Sequence, residues 1–105
     1  MKEALELLLK AIRDDYLSWV PADYRDSENT KRFLEGLSYT EGPKYIKVMS
    51  ERSVWGFIMK EDDSKFRKGD ILMAAGWRGP ARNSARGNIL DGGYNIRWTG
   101  PLYLK

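Results

Sequence analysis

Cysteine and histidine are both absent from this sequence. Without cysteine the chain can form neither a disulfide nor a thiolate metal site, which fits a reducing compartment such as the cytoplasm. Without histidine it lacks the usual general base and the commonest metal ligand, so histidine-dependent triads and zinc sites are excluded. Carboxylates, lysine, arginine and tyrosine are left for catalysis, as in a histidine-free nuclease. A binding or structural role is therefore favoured over an enzyme, and we expect no cofactor and no metal.

Long hydrophobic runs are also absent. The longest apolar run near the N-terminus covers only residues 7–9, whereas a membrane span needs roughly 20 residues. The acidic residues Glu3 and Glu6 do not suit a signal peptide. We therefore expect no membrane association and a cytoplasmic location.

Charge is distributed unevenly along the chain. Residues 1–43 contain six Lys or Arg and nine Asp or Glu, a net charge of −3, whereas residues 44–105 contain twelve and six, a net charge of +6. The hydrophobic pattern changes at the same place, which predicts a helical segment over residues 1–37 and mainly β-structure over residues 44–105. Because neither half is long enough for a proper core, we predict one domain over residues 1–105.

Two helices are predicted in the acidic half. Apolar residues recur there at spacings of three and four and line one helical face: Leu5, Leu8, Leu9, Ile12, Tyr16, Trp19 and Val20. Pro21 should end this helix. A short second helix is predicted over residues 29–36, with Ser27 or Asn29 as N-cap and Gly36 as the stop. The first helix could bind a partner, but packing on the protein's own sheet is the favoured interpretation.

The basic half shows the period of two that is typical of strands. Residues 44–49 and 53–60 predict a β-hairpin, residues 71–77 a third strand, and residues 94–98 and 102–104 one or two more. An open sheet with an exposed apolar face would aggregate, so the helices should cover it or it should curl. The predicted fold class is α+β, with both helices packed on a twisted antiparallel, partly barrel-like sheet of four to five strands.

A loop of sixteen residues, 78–93, separates two of these strands. Connections in compact domains are mostly shorter, and longer ones are usually functional or disordered. Pro80 could start one helical turn with Arg82 and Arg86 four apart on one side, so that both guanidinium groups face one anion. The candidate binding residues lie in this basic loop or flank it: Trp77, Arg78, Arg82, Asn83, Arg86, Asn88 and Arg97.

Two alternatives compete with that interpretation. The arginines could instead pair internally, with Asp14, Asp15 or Asp23 of the acidic half as partners. Aromatic residues interleaved with the arginines would suit base stacking on single-stranded nucleic acid, although strand aromatics more often fill a core. The acidic stretch at residues 61–63 does not match the ligand spacing of a calcium loop and is interpreted as a solvated turn.

Residues 68–89, KGDILMAAGWRGPARNSARGNI, resemble a family of short uncharacterised proteins of marine tailed phages, cyanophages especially. The shared pattern is a Gly-Asp-Ile-Leu strand, an aromatic residue, a Pro-Ala pair and an Ala-Arg-Gly-Asn element, and the likeness extends over about the last 60 residues. The resemblance implies a phage setting, either the cytoplasm of an infected host cell or the virion, and it supplies no catalytic residues.

Three functional hypotheses follow. The first is a non-enzymatic accessory module that binds nucleic acid, or a host or virion protein, through the arginine-rich loop. The second is a virion structural or assembly component, and the third is a histidine-free nuclease-like enzyme. A homo-oligomer is also expected, because hydrophobic strands leave sheet edges that proteins usually pair or cover.

Overall fold

A computed structural model describes residues 1–51 and 53–101 of the chain. Helix α1 covers Lys2–Trp19, a single 3₁₀ turn covers Ala22–Tyr24, and helix α2 covers Glu28–Glu35. Six strands follow in chain order: β1 Ser38–Glu41, β2 Tyr45–Ser50, β3 Ser53–Met59, β4 Ile71–Leu72, β5 Ile96–Arg97 and β6 Gly100–Pro101. The predicted α+β class is confirmed. Neither helix in the described part of the chain combines the length and the apolarity needed to cross a bilayer.

Helix α1 packs on the sheet through a narrower stripe than the sequence predicts. Leu5, Leu8 and Ile12 are buried, but Trp19 at the end of the predicted stripe is 65% exposed. The helix stops where Pro21 requires it, because Val20 before the proline is already extended, with φ −88° and ψ 124°. The favoured interpretation of this helix, packing on the protein's own sheet, is confirmed for its first three turns.

Helix α2 has the N-cap and the stop that its sequence predicts. The Ser27 hydroxyl accepts a hydrogen bond from the Thr30 amide at 3.3 Å, so Ser27 is the cap and Asn29 is not. Gly36 at the other end has a right-handed backbone conformation, with φ −81°, so a left-handed turn is not what requires glycine at this position. A Cβ there would lie 2.8 Å from the Cα of Glu51. A larger residue would therefore push the backbone at Glu51, which follows β2, away from α2.

The main sheet is antiparallel in the order β1-β2-β3-β4. The predicted hairpin is confirmed as β2 and β3, with Ile46 opposite Ile58 and Lys47 opposite Phe57. Arg52, in the predicted turn between them, lies outside the described residues. Strand β1 was not predicted, and it pairs with β2 so that Thr40 lies opposite Lys47. The sheet is open and does not close into a barrel, since β1 and β4 at its two edges do not pair with each other.

A β-bulge at Trp55 changes which face of the sheet this side chain joins. Val48 pairs with Gly56 and Met49 with Val54, so Trp55 is an extra residue on β3. Its indole therefore packs in the helix-side core and donates a hydrogen bond to the carbonyl of Arg97 at 2.8 Å. This bond connects β3 to β5, which the hydrophobic alternation alone does not predict.

Both faces of the sheet carry a core. The helix-side cluster of buried residues consists of Leu5, Leu8, Ile12, Phe33, Leu37, Ile46, Val48, Trp55, Ile58, Ile71 and Ile89. A smaller loop-side cluster consists of Phe57, Met59, Phe66 and Leu72, with Tyr45, Val54, Ala74 and Ala85 packed against it. The helices thus cover one face, and the segments after β3 and β4 cover part of the other.

The C-terminal part of the described chain is less regular than predicted. Strand β4 has only two residues, because the chain leaves the sheet after Leu72, so the predicted strand over residues 71–77 is wrong in length. Strands β5 and β6 form a separate two-stranded sheet, tied to α1 by the Trp98 amide, which donates to Asp15 at 2.8 Å. Asp15 is therefore a structural acceptor rather than ordinary surface charge. The predicted strand over residues 102–104 lies outside the described residues.

Candidate functional site

Arg82 of the basic loop is held by internal contacts. No helical turn forms over residues 80–87, which corrects the prediction that Arg82 and Arg86 project side by side from one. The Arg82 guanidinium donates to Asp63 at 2.6 Å and to the Tyr45 hydroxyl at 2.7 Å, and it lies 4.8 Å from the centre of the Phe66 ring. The backbone carbonyl of Arg82 accepts a bond from Lys65.

Arg86 is buried, with 8% of its surface exposed. Its guanidinium lies 3.2 Å from the Asn83 side-chain oxygen and 3.6 Å from the Met73 sulfur. Its backbone amide and the carbonyl of Gly87 pair with Ile71 of β4, so this stretch covers the outer edge of the sheet. Asn83 is exposed and its amide oxygen also accepts from the Ser84 amide. Neither arginine is presented to solvent in the way the sequence suggested.

Asn88 is a buried junction rather than a binding residue at the surface. It is 5% exposed, and its side-chain NH₂ donates to Asp70 and to the carbonyl of Lys68, both at 2.9 Å. Its side-chain oxygen accepts from the amides of Leu90 and Asp91. Asn88 therefore joins the end of the long loop to the turn that precedes β4.

The acidic stretch at residues 61–63 organises the loop after β3. Asp63 accepts hydrogen bonds from the amides of Phe66 and Lys65, each at 2.8 Å. These amides, together with the Arg82 guanidinium, hold the pKa of Asp63 well below its ordinary value. Asp62 likewise accepts from the Lys68 amide at 2.7 Å. Asp62 and Asp63 thus hold the loop through specific hydrogen bonds, whereas we predicted a solvated turn.

Trp77 and Arg78 are presented at the tip of a tight turn. Ala74 and Pro80 form an antiparallel bridge, and inside it the Ala75 amide donates to the Gly79 carbonyl at 3.1 Å. On the side of the bridge away from the turn, the Ala81 amide donates to the Met73 carbonyl at 2.7 Å. Residues 74–80, which we call the tip, are therefore an extension of the loop with its own backbone hydrogen bonds.

The tip faces the strands across a cleft of about 370 Å³. The floor is the loop-side face of β1, β2 and β3, because Thr40, Lys47 and Phe57 are consecutive cross-strand neighbours. The β1–β2 turn forms one wall and Arg78 of the tip contributes the other. The lining residues are Thr40, Glu41, Gly42, Pro43, Lys44, Tyr45, Lys47, Phe57 and Arg78.

Aromatic surface and positive charge meet in this cleft. The Lys47 ammonium lies 4.8 Å from the centre of the Trp77 ring, within the range of a cation–π contact. Trp77 itself is 56% exposed. Three other aromatics of the basic half face the helix-side core instead, because Trp55 is buried in it and Tyr94 and Trp98 pack against it. Tyr103 lies outside the described residues.

The positive charges of the cleft are only partly balanced. Lys44 lies 3.5 Å from Asp63, and the one acidic lining residue, Glu41, lies 3.9 Å from Lys60. Within residues 1–51 and 53–101, Lys47 and Arg78 form no ion pair with a carboxylate. The cleft thus carries two positive charges that are available to an anion.

Arg97 lies apart from this cleft. It is exposed on β5, in the small sheet that packs against α1, and it does not contribute to the lining of the cleft. Of the seven predicted site residues, Arg78 lines the cleft and Trp77 contacts its Lys47 at the rim. Arg82 lies behind the floor through its bond to Tyr45.

Sequence reasoning missed the lysines of the cleft. Lys44 and Lys47 were assigned to a hairpin strand and given no further role. A signal was present, because Tyr45 and Lys47 are two apart and so share one face of a strand. A lysine on a face that is otherwise apolar marks a point where that face reaches solvent. The signal was missed because strand β1, which extends this face, was not predicted.

No protein-family model, curated protein or solved structure matches this chain. The resemblance to marine phage proteins therefore stays a prediction, and the functional argument depends on the chain's own residues. Among residues 1–51 and 53–101, no group of three or more acidic side chains is arranged to hold a metal ion.

Proposed function

We propose that this protein is a non-enzymatic nucleic-acid-binding module whose binding surface is the cleft between the sheet and the tip. The observation that carries the proposal is the convergence of Lys47 and Arg78 with the exposed ring of Trp77. Nucleic acids are bound through phosphate contacts with Lys and Arg, supplemented by stacking of bases on aromatic rings. The cleft combines both kinds of contact.

The surroundings of the cleft support a polymer rather than a small enclosed anion. The cleft is open to solvent, and Arg78 and Trp77 protrude from its rim on the tip. The segment from residue 44 onwards carries a net charge of +6, which would draw a polyanion towards this half of the chain. The two helices of the acidic N-terminal half lie on the opposite side of the sheet, where α1 and α2 pack.

The setting we propose is that of a phage accessory protein in the cytoplasm of an infected host cell. It rests on the resemblance of residues 68–89 to marine phage proteins and on the absence of cysteine from the chain. Nucleic acid is the abundant polyanion of that compartment.

Salt-dependent binding of a labelled oligonucleotide tests the function. We expect the logarithm of the affinity to fall linearly with the logarithm of salt concentration, and Lys47→Gln and Arg78→Gln each to reduce that slope by about 1. Arg97→Gln is the matched control, since it removes one exposed positive charge outside the cleft. The proposal fails if the wild type binds no oligonucleotide at about 50 mM salt, or if Arg97→Gln weakens binding as much as Arg78→Gln.

A second candidate role, self-assembly, is favoured by the edges of the main sheet. The outer edge of β4 is covered by residues 86–87, whereas within residues 1–51 and 53–101 no segment pairs with the outer edge of β1. Such an edge can pair with another copy, as a homo-oligomer or virion component would require. Light scattering up to about 100 µM protein should then report a defined oligomer, and a monomer throughout would refute this role.

A further inference from the structure

Trp77 is held with one ring face covered and the other open. The Lys47 ammonium lies 4.8 Å from the ring centre and comes from the floor of the cleft, so it covers the face that looks towards the sheet. With 56% of the residue exposed, the opposite face is accessible to a ligand. The backbone bonds of the tip, from Ala75 and Gly76 to the Gly79 carbonyl, order the main chain that carries this indole.

We propose that the cleft selects single-stranded nucleic acid, with one unpaired base stacked on the open face of Trp77 and the neighbouring phosphate held by Lys47 and Arg78. This inference rests on the proposed nucleic-acid-binding function and adds the class of strand to it. A base brings a flat π-face that matches the indole, and every base has one, so the contact carries no sequence preference.

The open face of Trp77 favours an unpaired base over a base within a duplex. In a duplex the faces of the bases are occupied by their neighbours, so a base would have to be unstacked and extruded to reach Trp77. An unpaired strand offers its bases without that cost.

Lys47 serves two functions in this arrangement. Its ammonium lies over one face of the indole, and it adds positive charge beside the position of the bound phosphate. Arg78 is the next residue after Trp77, so its guanidinium reaches the same nucleotide from the other side. Base and phosphate of one nucleotide are thus recognised by three side chains from two segments.

Binding measurements with three ligands of equal length test the preference for single strands separately from nucleic-acid binding itself, on which the inference rests. The ligands are an oligothymidylate of about 16 nucleotides, an abasic oligomer with the same number of phosphates, and a duplex of that length. We expect the oligothymidylate to bind at least about tenfold more tightly than the abasic oligomer, because stacking contributes to the first alone. The duplex should bind no better than the abasic oligomer per phosphate.

Variants of Trp77 assign the difference to its ring. Trp77→Leu should lose the preference for oligothymidylate over the abasic oligomer and keep the affinity for the latter, whereas Trp77→Phe should retain most of the preference. Equal binding of both ligands by the wild type, or tighter binding of the duplex, would overturn the inference and leave the proposed function standing. Failure to bind any of the three would overturn both.

Discussion

Asp63 and Arg82 form a hydrogen-bonded ion pair with 2.6 Å between the carboxylate oxygen and the guanidinium nitrogen. The two residues belong to different loops, one after β3 and one after the tip, and their pairing closes these loops over the loop-side core. The Phe66 ring beneath the guanidinium completes the contact. The tip projects from these paired loops and presents Trp77 and Arg78. Arg82 therefore has a structural role, because it stabilises the segment that carries the tip.

Replacing Arg82 should therefore affect stability, whereas replacing Arg78 should not. We expect Arg82→Gln to lower the melting temperature by several degrees, because the Asp63 and Tyr45 partners are lost together. Arg78→Gln is the matched control, since this exposed residue has no ion pair within the described residues. Thermal unfolding followed by circular dichroism measures both. Equal melting temperatures for the two variants would contradict the structural role of Arg82.

Asp63 should give the fold an acid-dependent part of its stability. The amides of Phe66 and Lys65 and then the Arg82 guanidinium depress its pKa from an ordinary 3.8. A carboxyl with a depressed folded pKa stabilises the fold above its unfolded pKa, and that contribution is lost as pH falls towards the folded value. The stability difference between wild type and Asp63→Asn should thus be constant near neutral pH and shrink below about pH 4.

Urea titrations at a series of pH values measure this difference directly. Asparagine retains an oxygen for the two amides, so the variant removes the charge and the acceptor for Arg82 while it keeps the amide bonds. A difference that stays constant down to about pH 3 would show that the ionised carboxylate contributes nothing specific.

The attachment of α1 to the sheet can be tested with two neighbouring leucines. Leu8 is fully buried in the helix-side core, whereas Leu7 is 62% exposed. We expect Leu8→Ala to cost about 2–5 kcal/mol of unfolding free energy, and Leu7→Ala to stay within about 0.5 kcal/mol. Chemical denaturation gives both values. If Leu8→Ala is as mild as Leu7→Ala, the helix is not an integral part of the fold.

Local patterns in the sequence were sufficient for the helices and the central hairpin. The spacing of Leu5, Leu8 and Ile12 and the Ser27 cap depend on residues within one or two turns of each other. Strand β1 is different, because its residues Ser38–Glu41 are mostly exposed and give no apolar alternation to detect. It forms because β2 offers it an edge, which is a tertiary effect.

The site was only partly predictable for a similar reason. The length of the loop over residues 78–93 drew attention to its arginines, but nothing local distinguishes Arg78 from Arg82 and Arg86. What separates them is the partner that each meets after folding: Asp63, from 19 positions away, for Arg82, and the β4 edge for Arg86. Composition suggested acidic partners in the N-terminal half, and the partner of Arg82 came from the basic half instead.

Asn88 offers the sharpest test of how the long loop is anchored. It is buried and bonded through its NH₂ group to the Asp70 carboxylate at 2.9 Å. Asn88→Ala should cost about 2–4 kcal/mol, because the buried Asp70 carboxylate, the Lys68 carbonyl and the Leu90 amide lose their partner together. The exposed neighbour Leu90, changed to alanine, should cost less than about 1 kcal/mol.

Asn88→Asp separates charge from shape at the same position. It is nearly isosteric with the wild type, but it replaces a donor to Asp70 by a second carboxylate at about 3 Å, and two like charges so close raise the pKa of the pair. A raised folded pKa means that the variant is penalised at neutral pH and recovers as pH falls and one carboxyl takes up a proton. We expect Asn88→Asp to be less stable than Asn88→Ala near pH 7 and to regain stability relative to it towards about pH 5, as measured by urea unfolding at both pH values. A difference between the two variants that does not change with pH would mean that Asn88 and Asp70 are not in direct contact.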